Sequence, residues 1–532
     1  MPSTDLPLES QHPKAVDLSH HVNKVSSSIR GSPLKHIFQY LREPGMVSLA
    51  GGLPHPNLFP YQQLDLKVYA PDAKIIPGET VTSSMNLSIP QYASETHQLN
   101  TLSRALQYYP GRSSPTLTAL FYDFTARIMR PGYADWQILL NSGSTDGWSK
   151  VVNLLCEPGD YIIVEEHTFP SAHSLWAPMG CKGVPVKMDK DGMIPEDLER
   201  IMDGWEQNHP EVKKPHLLYT VPVGQNPTGS TLTFERKKAI YETCVKHDII
   251  ICEDDPYYFL QLPRYVSPSE RNGINDTPQG AVSDADLLKI LVPPFVHIDY
   301  QGRVIRLETL SKTLGPGNRL GYFVCNAAFA ERLVHATEVI SQAPSGWSQA
   351  IIEELLVTWR PEGYIRWLLG VRENYGIRRD WICDIIRDVF DVLPAGNEYN
   401  DDFIAVKKGH GQLQDTKSAP FFSFTYPKGG MFLYIKLYLS QNPKFRALRN
   451  AAENQDEEAN EKWTREFWKD LIQEKILLTP HFFYTPPGNV EKKEESDVAF
   501  FRMTFSYETR EDMHIGIQRL AKAFEKNWEM EN

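Results

Sequence analysis

Lys312 lies in the turn-rich segment Ser311-Lys312-Thr313-Leu314-Gly315-Pro316-Gly317-Asn318-Arg319, downstream of the apolar and basic run Gly302 to Leu307. A lysine amine kept partly neutral by its surroundings can attack an aldehyde and hold it as an imine. Arg319, seven residues on, carries a guanidinium fork that suits a phosphate. Asp254 and Asp255 close another strand-like run, Ile250-Ile251-Cys252-Glu253, where ligands gather in open α/β sheets. A carboxylate there can keep a pyridine nitrogen protonated, and Tyr257 can offer its phenol to a neighbouring ring oxygen. In Val223-Gly224-Gln225-Asn226-Pro227-Thr228-Gly229, Pro and Gly define a turn that can aim the Asn226 amide. Asn141-Ser142-Gly143-Ser144-Thr145-Asp146-Gly147 follows a strand-like run and opens a helix-like one, offering hydroxyls and free N–H groups as a phosphate cradle. It lacks the Gly-Lys-Ser/Thr of a nucleotide-binding P-loop. An imine-forming lysine, a carboxylate for a ring nitrogen and a phosphate cradle would together suit a phosphorylated aldehyde cofactor, while each motif taken alone is equally a surface turn, a strand end or a capped helix start.

These residues need strand ends to stand on. Between about 140 and 330, short β-branched runs alternate with helical patterns, at Gln137–Leu140, Tyr161–Val164, His216–Thr220, Ile249–Cys252, Val304–Leu307 and Gly321–Cys325. Such alternation predicts an α/β layer with a largely parallel sheet. After about 360 the pattern changes to a long charged helix followed by separate strands at Phe403–Val406 and Met431–Leu437, which predicts a second, α+β domain. Ahead of the sheet, residues 1–33 are polar, Leu34–Leu41 predicts a short helix, and Val47 to Pro54 a loop. The division expected is 1–65 as N-terminal extension and arm, 66–365 as the large cofactor-binding domain and 366–532 as the small one. Polar stretches at 71–98, 264–294, 408–419, 450–462 and 487–497 read as insertions, either surface loops or short ordered excursions.

The composition removes several classes of function. The 532 residues carry 67 acidic and 55 basic side chains, a net charge of −12, which leaves no electrostatic footprint for nucleic acid or anionic lipid. Six scattered cysteines form no Cys-x-x-Cys pair, and no histidine stands at zinc-finger spacing, so neither a disulfide framework nor a metal site is expected. No apolar run reaches membrane-spanning length. Met1 to Val22 contains Asp5, Glu9 and Asp17 without an apolar signal core, and the final Glu-Met-Glu-Asn is no retention or peroxisomal address. A cytoplasmic protein is expected.

Taken in order, the Gly143-Ser144-Thr145 loop, Asn226-Pro227-Thr228-Gly229, Asp254-Asp255-Pro256-Tyr257, Ser311-Lys312 with Arg319, and Phe501-Arg502-Met503-Thr504-Phe505-Ser506 resemble the type I pyridoxal-phosphate aminotransferases over residues 34–525. Ser48-Leu49-Ala50-Gly51-Gly52-Leu53-Pro54, Leu106-Gln107-Tyr108, Glu253 to Leu260 and Pro427 to Phe432 look like the branch of fungal aromatic and kynurenine/α-aminoadipate aminotransferases. The resemblance implies a homodimer whose large domain holds a mostly parallel mixed sheet and whose small C-terminal domain is α+β. It implies ping-pong transfer of an amino group from phenylalanine, tyrosine or tryptophan to 2-oxoglutarate, with kynurenine and α-aminoadipate as the alternative donors. Lys312 becomes the imine lysine and general acid/base. Asp254 pairs with the ring nitrogen in preference to Asp255, because the family's Asp and Tyr stand three residues apart. Asn226 and Tyr257 hold the ring oxygen, Ser144, Thr145, Ser311 and Arg319 the phosphate, and Tyr108 reaches across from the second subunit. Phe169 takes the place of a stacking aromatic that is often Tyr. Arg502 clamps the substrate α-carboxylate, with Asn226 and Gly52 beside it. Ser113 and His481 depart from the pattern, standing where the family usually has Gly. A pyridoxal-phosphate lyase or decarboxylase would share the inner residues. The aminotransferase-like sensor of bacterial regulators would need a DNA-binding domain where only about 33 residues precede the arm helix.

Overall fold

The computed structural model describes all residues except 1–11, 32–39, 41–42, 48, 51, 95–99, 109–112, 272–281, 397–398, 410–419, 452–456, 488–496 and 529–532. The helix expected at Leu34–Leu41, Tyr40 apart, and Ser48 and Gly51 of the following loop lie outside the described residues.

Strands β1 (Gln63–Tyr69) and β2 (Ser84–Pro90) form an antiparallel hairpin. The stretch 71–98, expected as a surface loop or a short ordered excursion, thus contains the ordered strand β2. Met85, Leu87 and Ile89 alternate with polar neighbours, the period of a half-buried strand, and Leu87 and Ile89 are buried. The central sheet follows: β3 (Trp136–Asn141), β4 (Tyr161–Glu165), β5 (Lys182–Val186), a two-residue hairpin β6 and β7 (Met188–Asp189, Gly192–Met193) beside it, β8 (Leu217–Thr220), β9 (Ile250–Asp254), β10 (Val304–Thr309) and β11 (Gly321–Asn326). Its seven strands are ordered β3-β11-β10-β9-β8-β4-β5. Only β11 runs against the others. Every residue of β8, β9, β10 and β11 is buried, as a sheet covered on both faces requires. Helix Ser144–Leu155 packs across β9, β10 and β11, so its N-terminus opens at the edge where the parallel strands end.

The second sheet is antiparallel: β12 (Asp391–Pro394), β13 (Phe403–Val406), β14 (Phe422–Phe424), β15 (Phe432–Tyr438), β16 (Thr479–Pro480) and β17 (Val498–Thr504), ordered β12-β13-β14-β15-β17-β16. Leu433, Ile435 and Leu437 of β15 and Ala499, Phe501 and Met503 of β17 enter a core shared with helices Glu457–Gln473 and Arg510–Asn527. The alternate residues, Phe432, Tyr434 and Lys436 with Phe500 and Arg502, share the opposite face, Tyr434 paired with Arg502. Helix Gly346–Val389 joins the two cores and is kinked at Arg360 (φ 58°), just before Pro361. The expected boundaries at 65/66 and 365/366 fall inside β1 and inside this helix.

Where it is described, the N-terminal stretch is anchored on the large sheet's core. Leu18 belongs to the main core, Ala15 N–H donates to Asp135 at 2.7 Å, and the Asn23 amide donates to the carbonyls of Asn153 and Cys156 at 2.7 Å each. Asn23 also caps helix Lys24–Ser28 through the Ser26 N–H.

Candidate active site

The site's floor is the carboxyl edge of the sheet. Asp254 ends β9 buried, and its Oδ2 accepts the Tyr219 hydroxyl at 2.7 Å. Burial raises its carboxyl above the usual range, and the Tyr219 hydrogen bond opposes that rise. Its Oδ1 and the neighbouring Ser144 hydroxyl are buried and make no close hydrogen bond, though Ser144 stands near enough to steady the charged carboxylate. Lys312 follows β10, its Nζ 5.9 Å from the centre of the Tyr257 ring. Desolvation lowers its pKa and Arg319 lowers it further, while Asp254 pulls it back up. Tyr257 is buried, its pKa pushed up by burial and by Asp254, and its ring meets Phe432 edge-on at 5.8 Å.

Asp255 takes a different path. Its Oδ2 lies 3.1 Å from Arg306, whose buried guanidinium also holds Glu253 at 3.1 Å and Glu308 at 2.8 Å. Like Asp254 it keeps one unpartnered oxygen, but its charge is matched within this buried cluster and not by Lys312.

The phosphate-type donors converge beside the lysine. Gly143 (φ +97°) precedes Ser144 and Thr145 at the start of helix Ser144–Leu155. A Cβ on Gly143 would stand 2.7 Å from Arg319 Nη2, so only glycine leaves room for that guanidinium. Arg319 Nη2 donates to Ser142 O at 2.7 Å, Nη1 reaches Ser311 Oγ at 3.5 Å, and the Ser311 and Thr309 hydroxyls are 2.9 Å apart.

The roof comes from the other sheet. Arg502 Nη1 donates to Asn226 Oδ1 at 2.7 Å, and its guanidinium lies 4.3 Å over the Phe432 ring and 5.4 Å from that of Tyr484. Its Nε is buried and unpartnered. The Asn226 turn approaches this sheet backbone to backbone: a Cβ on Gly224 would meet Gly430 Cα at 2.3 Å, so neither glycine can carry a side chain. Beneath the turn, Gln225 donates to Glu165 Oε2 at 2.9 Å and to His167 O at 2.5 Å, and accepts from Thr228 N–H at 2.9 Å. Glu165 ends β4 fully buried, also accepts from Thr220 at 2.7 Å, and is pushed up to about 7 by burial.

Lys312, Asp254, Tyr257, Asn226, Ser144, Thr145, Ser311, Arg319 and Arg502 are thus brought to one cleft. Phe169 is half-buried at the N-cap of helix Pro170–Trp176. Tyr108 and Gly52 are exposed in this single chain, on segments joined by Gln107 donating to Pro54 O at 2.8 Å. Ser113 adopts φ 69°, the left-handed region that glycine enters without cost. His481 is buried, accepts the Phe500 N–H at 3.4 Å, and lines a cavity of about 880 Å³ between the lobes with Tyr434 and Phe500. The sequence reading missed Tyr219, Glu165, Gln225 and Arg306. Glu165 had a readable signal, since it follows a buried strand run as Asp254 does.

A doubly covered mixed sheet carries a desolvated lysine and a buried carboxylate at its carboxyl edge, and the chain belongs to the family Aminotransferase class I and II, matched over residues 82–358. An aromatic amino acid aminotransferase of Schizosaccharomyces pombe is 32% identical over 514 residues, 96% of this chain and 98% of that one. An L-tyrosine:2-oxoglutarate aminotransferase of Serpula lacrymans is 32% identical over 482 residues, 89% of this chain and 85% of that one. The crystal structure of aminotransferase Aro8 from Candida albicans superposes with a TM-score of 0.82 at 31% identity, covering 97% of this chain and 100% of that one.

Proposed function

We propose that this aminotransferase moves the amino group of phenylalanine, tyrosine or tryptophan to 2-oxoglutarate, using pyridoxal 5'-phosphate held at Lys312. The observation that carries the reading is a buried carboxylate, Asp254, with one free oxygen beside a desolvated lysine, under an arginine already paired to an asparagine at 2.7 Å. Bound there, pyridoxal phosphate supplies an electron sink for the substrate's α-carbon. Asp254, steadied by Tyr219, offers Oδ1 to the ring nitrogen and keeps it protonated. Burial lowers the pKa of Lys312 and Arg319 lowers it further against the pull of Asp254, and Nζ is the group placed to accept the substrate's α-proton and return it. Ser144, Thr145, Ser311 and Arg319 would hold the cofactor's phosphate, Phe169 would offer a ring to stack against, and Asn226 and Tyr257 would hold the cofactor's ring oxygen. Arg502 grips the substrate α-carboxylate, oriented by Asn226 and by the Phe432 and Tyr484 rings.

The relatives' names support an aromatic donor, and the exposure of Tyr108 and Gly52 in one chain supports a homodimer in which Tyr108 completes the neighbouring site. A division into an extension, a large cofactor domain ending near 365 and a small domain fits the two hydrophobic cores. Six buried free thiols favour the reducing cytoplasm, and among the described residues no helix is long and apolar enough to cross a membrane. The test is to mix the cofactor-loaded protein with L-phenylalanine, L-tyrosine, L-tryptophan, L-kynurenine or L-α-aminoadipate, without an oxo acid. Loss of the cofactor's near-visible band with stoichiometric oxo-acid release is expected to be fastest for the first three. Faster release from kynurenine or aminoadipate would overturn the donor class, and no release would overturn the transamination.

A further inference from the structure

At the opposite end of β9 from the cleft, two histidines of the N-terminal segment meet one aspartate of the large sheet. We propose that His20, His21 and Asp248 bind a divalent ion of the zinc class, which fastens the N-terminal segment to the large domain. The histidines are consecutive in the 3-10 turn Ser19–His21, and Asp248 occupies the turn between helix Phe234–Lys246 and β9. His20 Nε2 lies 2.7 Å from one Asp248 oxygen and His21 Nε2 3.0 Å from the other. One donor atom from each residue falls within 4.8 Å of the other two. Ligands about 2.0–2.1 Å from a tetrahedral zinc stand about 3.3 Å from one another; because the two imidazoles meet different Asp248 oxygens, an ion calls for a turn of the carboxylate as well as small shifts of the two rings.

The donor chemistry suits zinc: two imidazoles and a carboxylate, with a position left for water. The frame is already set, since Asp248 is fixed at φ 53° and the buried His21 ring stacks on His216 at 5.5 Å. His216 itself is engaged with Leu155 O at 3.1 Å and is no ligand. His20 is exposed, which gives the ion a way in. Asp17 adds a nearby negative charge, whereas Arg303 Nη1, 3.6 Å from Asp248 Oδ1, opposes a cation and weakens the site. At about 3.3 Å per strand residue, six residues separate Asp248 from Asp254 by about 20 Å, so the ion acts on the fold and not on the reacting atoms. Sequence spacing could not show this trio, because His21 and Asp248 are 227 residues apart.

The cofactor-loaded protein, stripped with a chelator, would be titrated with zinc chloride by calorimetry and with cobalt(II), read by its tetrahedral visible absorbance. One ion per subunit is expected, with the thermal midpoint raised by several degrees. His20→Ala, at an exposed position, should lose the binding, the cobalt band and the zinc-dependent midpoint shift while keeping the metal-free midpoint and the transamination rate. Asp248→Asn should abolish binding likewise. Absence of saturable binding, or binding unchanged in His20→Ala, would overturn the proposal and leave the trio a hydrogen-bonded latch.

Discussion

Asp254→Asn and Asp255→Asn alter neighbouring residues and should have opposite consequences. Asp254 is the carboxylate that faces Lys312, with Oδ2 on Tyr219 and Oδ1 without a protein partner. Removing one member of a buried, hydrogen-bonded charge pair costs about 2–5 kcal/mol, here that of Asp254 with the protonated ring nitrogen. At 1.36 kcal/mol per decade this slows the chemical step by about 30- to 5000-fold. The fold should hardly notice, because burial already disfavours the ionised form of Asp254 and a neutral amide removes that penalty. In Asp255→Asn the loss is a charge-assisted bond to Arg306, worth about 1.5–3 kcal/mol. Part of this returns, because Glu253, Asp255 and Glu308 crowd one guanidinium, and burial pushes Asp255 up to about 6 and Glu308 to about 7. The net expectation is about 1–2 kcal/mol less stability and a chemical step within a few-fold of the parent. Stopped-flow loss of the cofactor band on mixing with L-phenylalanine reads the rate, and thermal denaturation reads the fold. A slower chemical step in Asp255→Asn than in Asp254→Asn would refute the reasoning.

Lys312→Ala should abolish transamination and the spectral signature of covalently held cofactor, while folding as the parent does by circular dichroism; a retained signature would move the imine elsewhere. Arg502→Ala should weaken the apparent affinity for every α-carboxylate substrate by about 30-fold or more, from the same 2–5 kcal/mol range, and Arg502→Lys should recover only part because it restores the charge without the fork. Unchanged saturation curves would remove Arg502 from the carboxylate site. Glu165, pushed up to about 7 from 4.5, favours its protonated form in the folded state. Its contribution is therefore full below pH 4.5 and is lost as pH rises through about 7, a change of about 3 kcal/mol. Thermal midpoints of the parent should fall more steeply from about pH 5 to pH 8 than those of Glu165→Gln, and parallel curves would contradict the assignment.

The large sheet was legible because strands covered on both faces write themselves as unbroken apolar runs, and β3, β4, β8, β9, β10 and β11 all lie on runs read from the sequence. Hairpin β1–β2 was passed over because only alternate residues are apolar, a weaker pattern inside a stretch that is polar on average. The attachment of the N-terminal segment was not legible for a related reason: a few residues such as Leu18 and Asn23 anchor it, and single anchors have no period.

The floor and roof of the cleft differ in the same way. The floor residues Ser144, Asp254 and Lys312 follow strands of one sheet, so local motifs locate them. The roof depends on a crossing between remote parts of the chain, Gly224 against Gly430, which lets Arg502 reach Asn226 across 276 residues of sequence. No local rule sets that crossing; each glycine is readable as a turn, but their contact is a property of two sheets meeting. The residues that steady the motif side chains, Tyr219 behind Asp254 and Glu165 behind Gln225, are hidden for a further reason. Each stands at or within a buried strand, where its polar atoms have meaning only once the neighbouring strand is in place. A site assembled on strand ends therefore shows its reacting groups in the sequence and conceals the groups that hold them. Substitutions behind the motifs, such as Tyr219→Phe, are accordingly expected to alter the behaviour of Asp254 while leaving every motif intact.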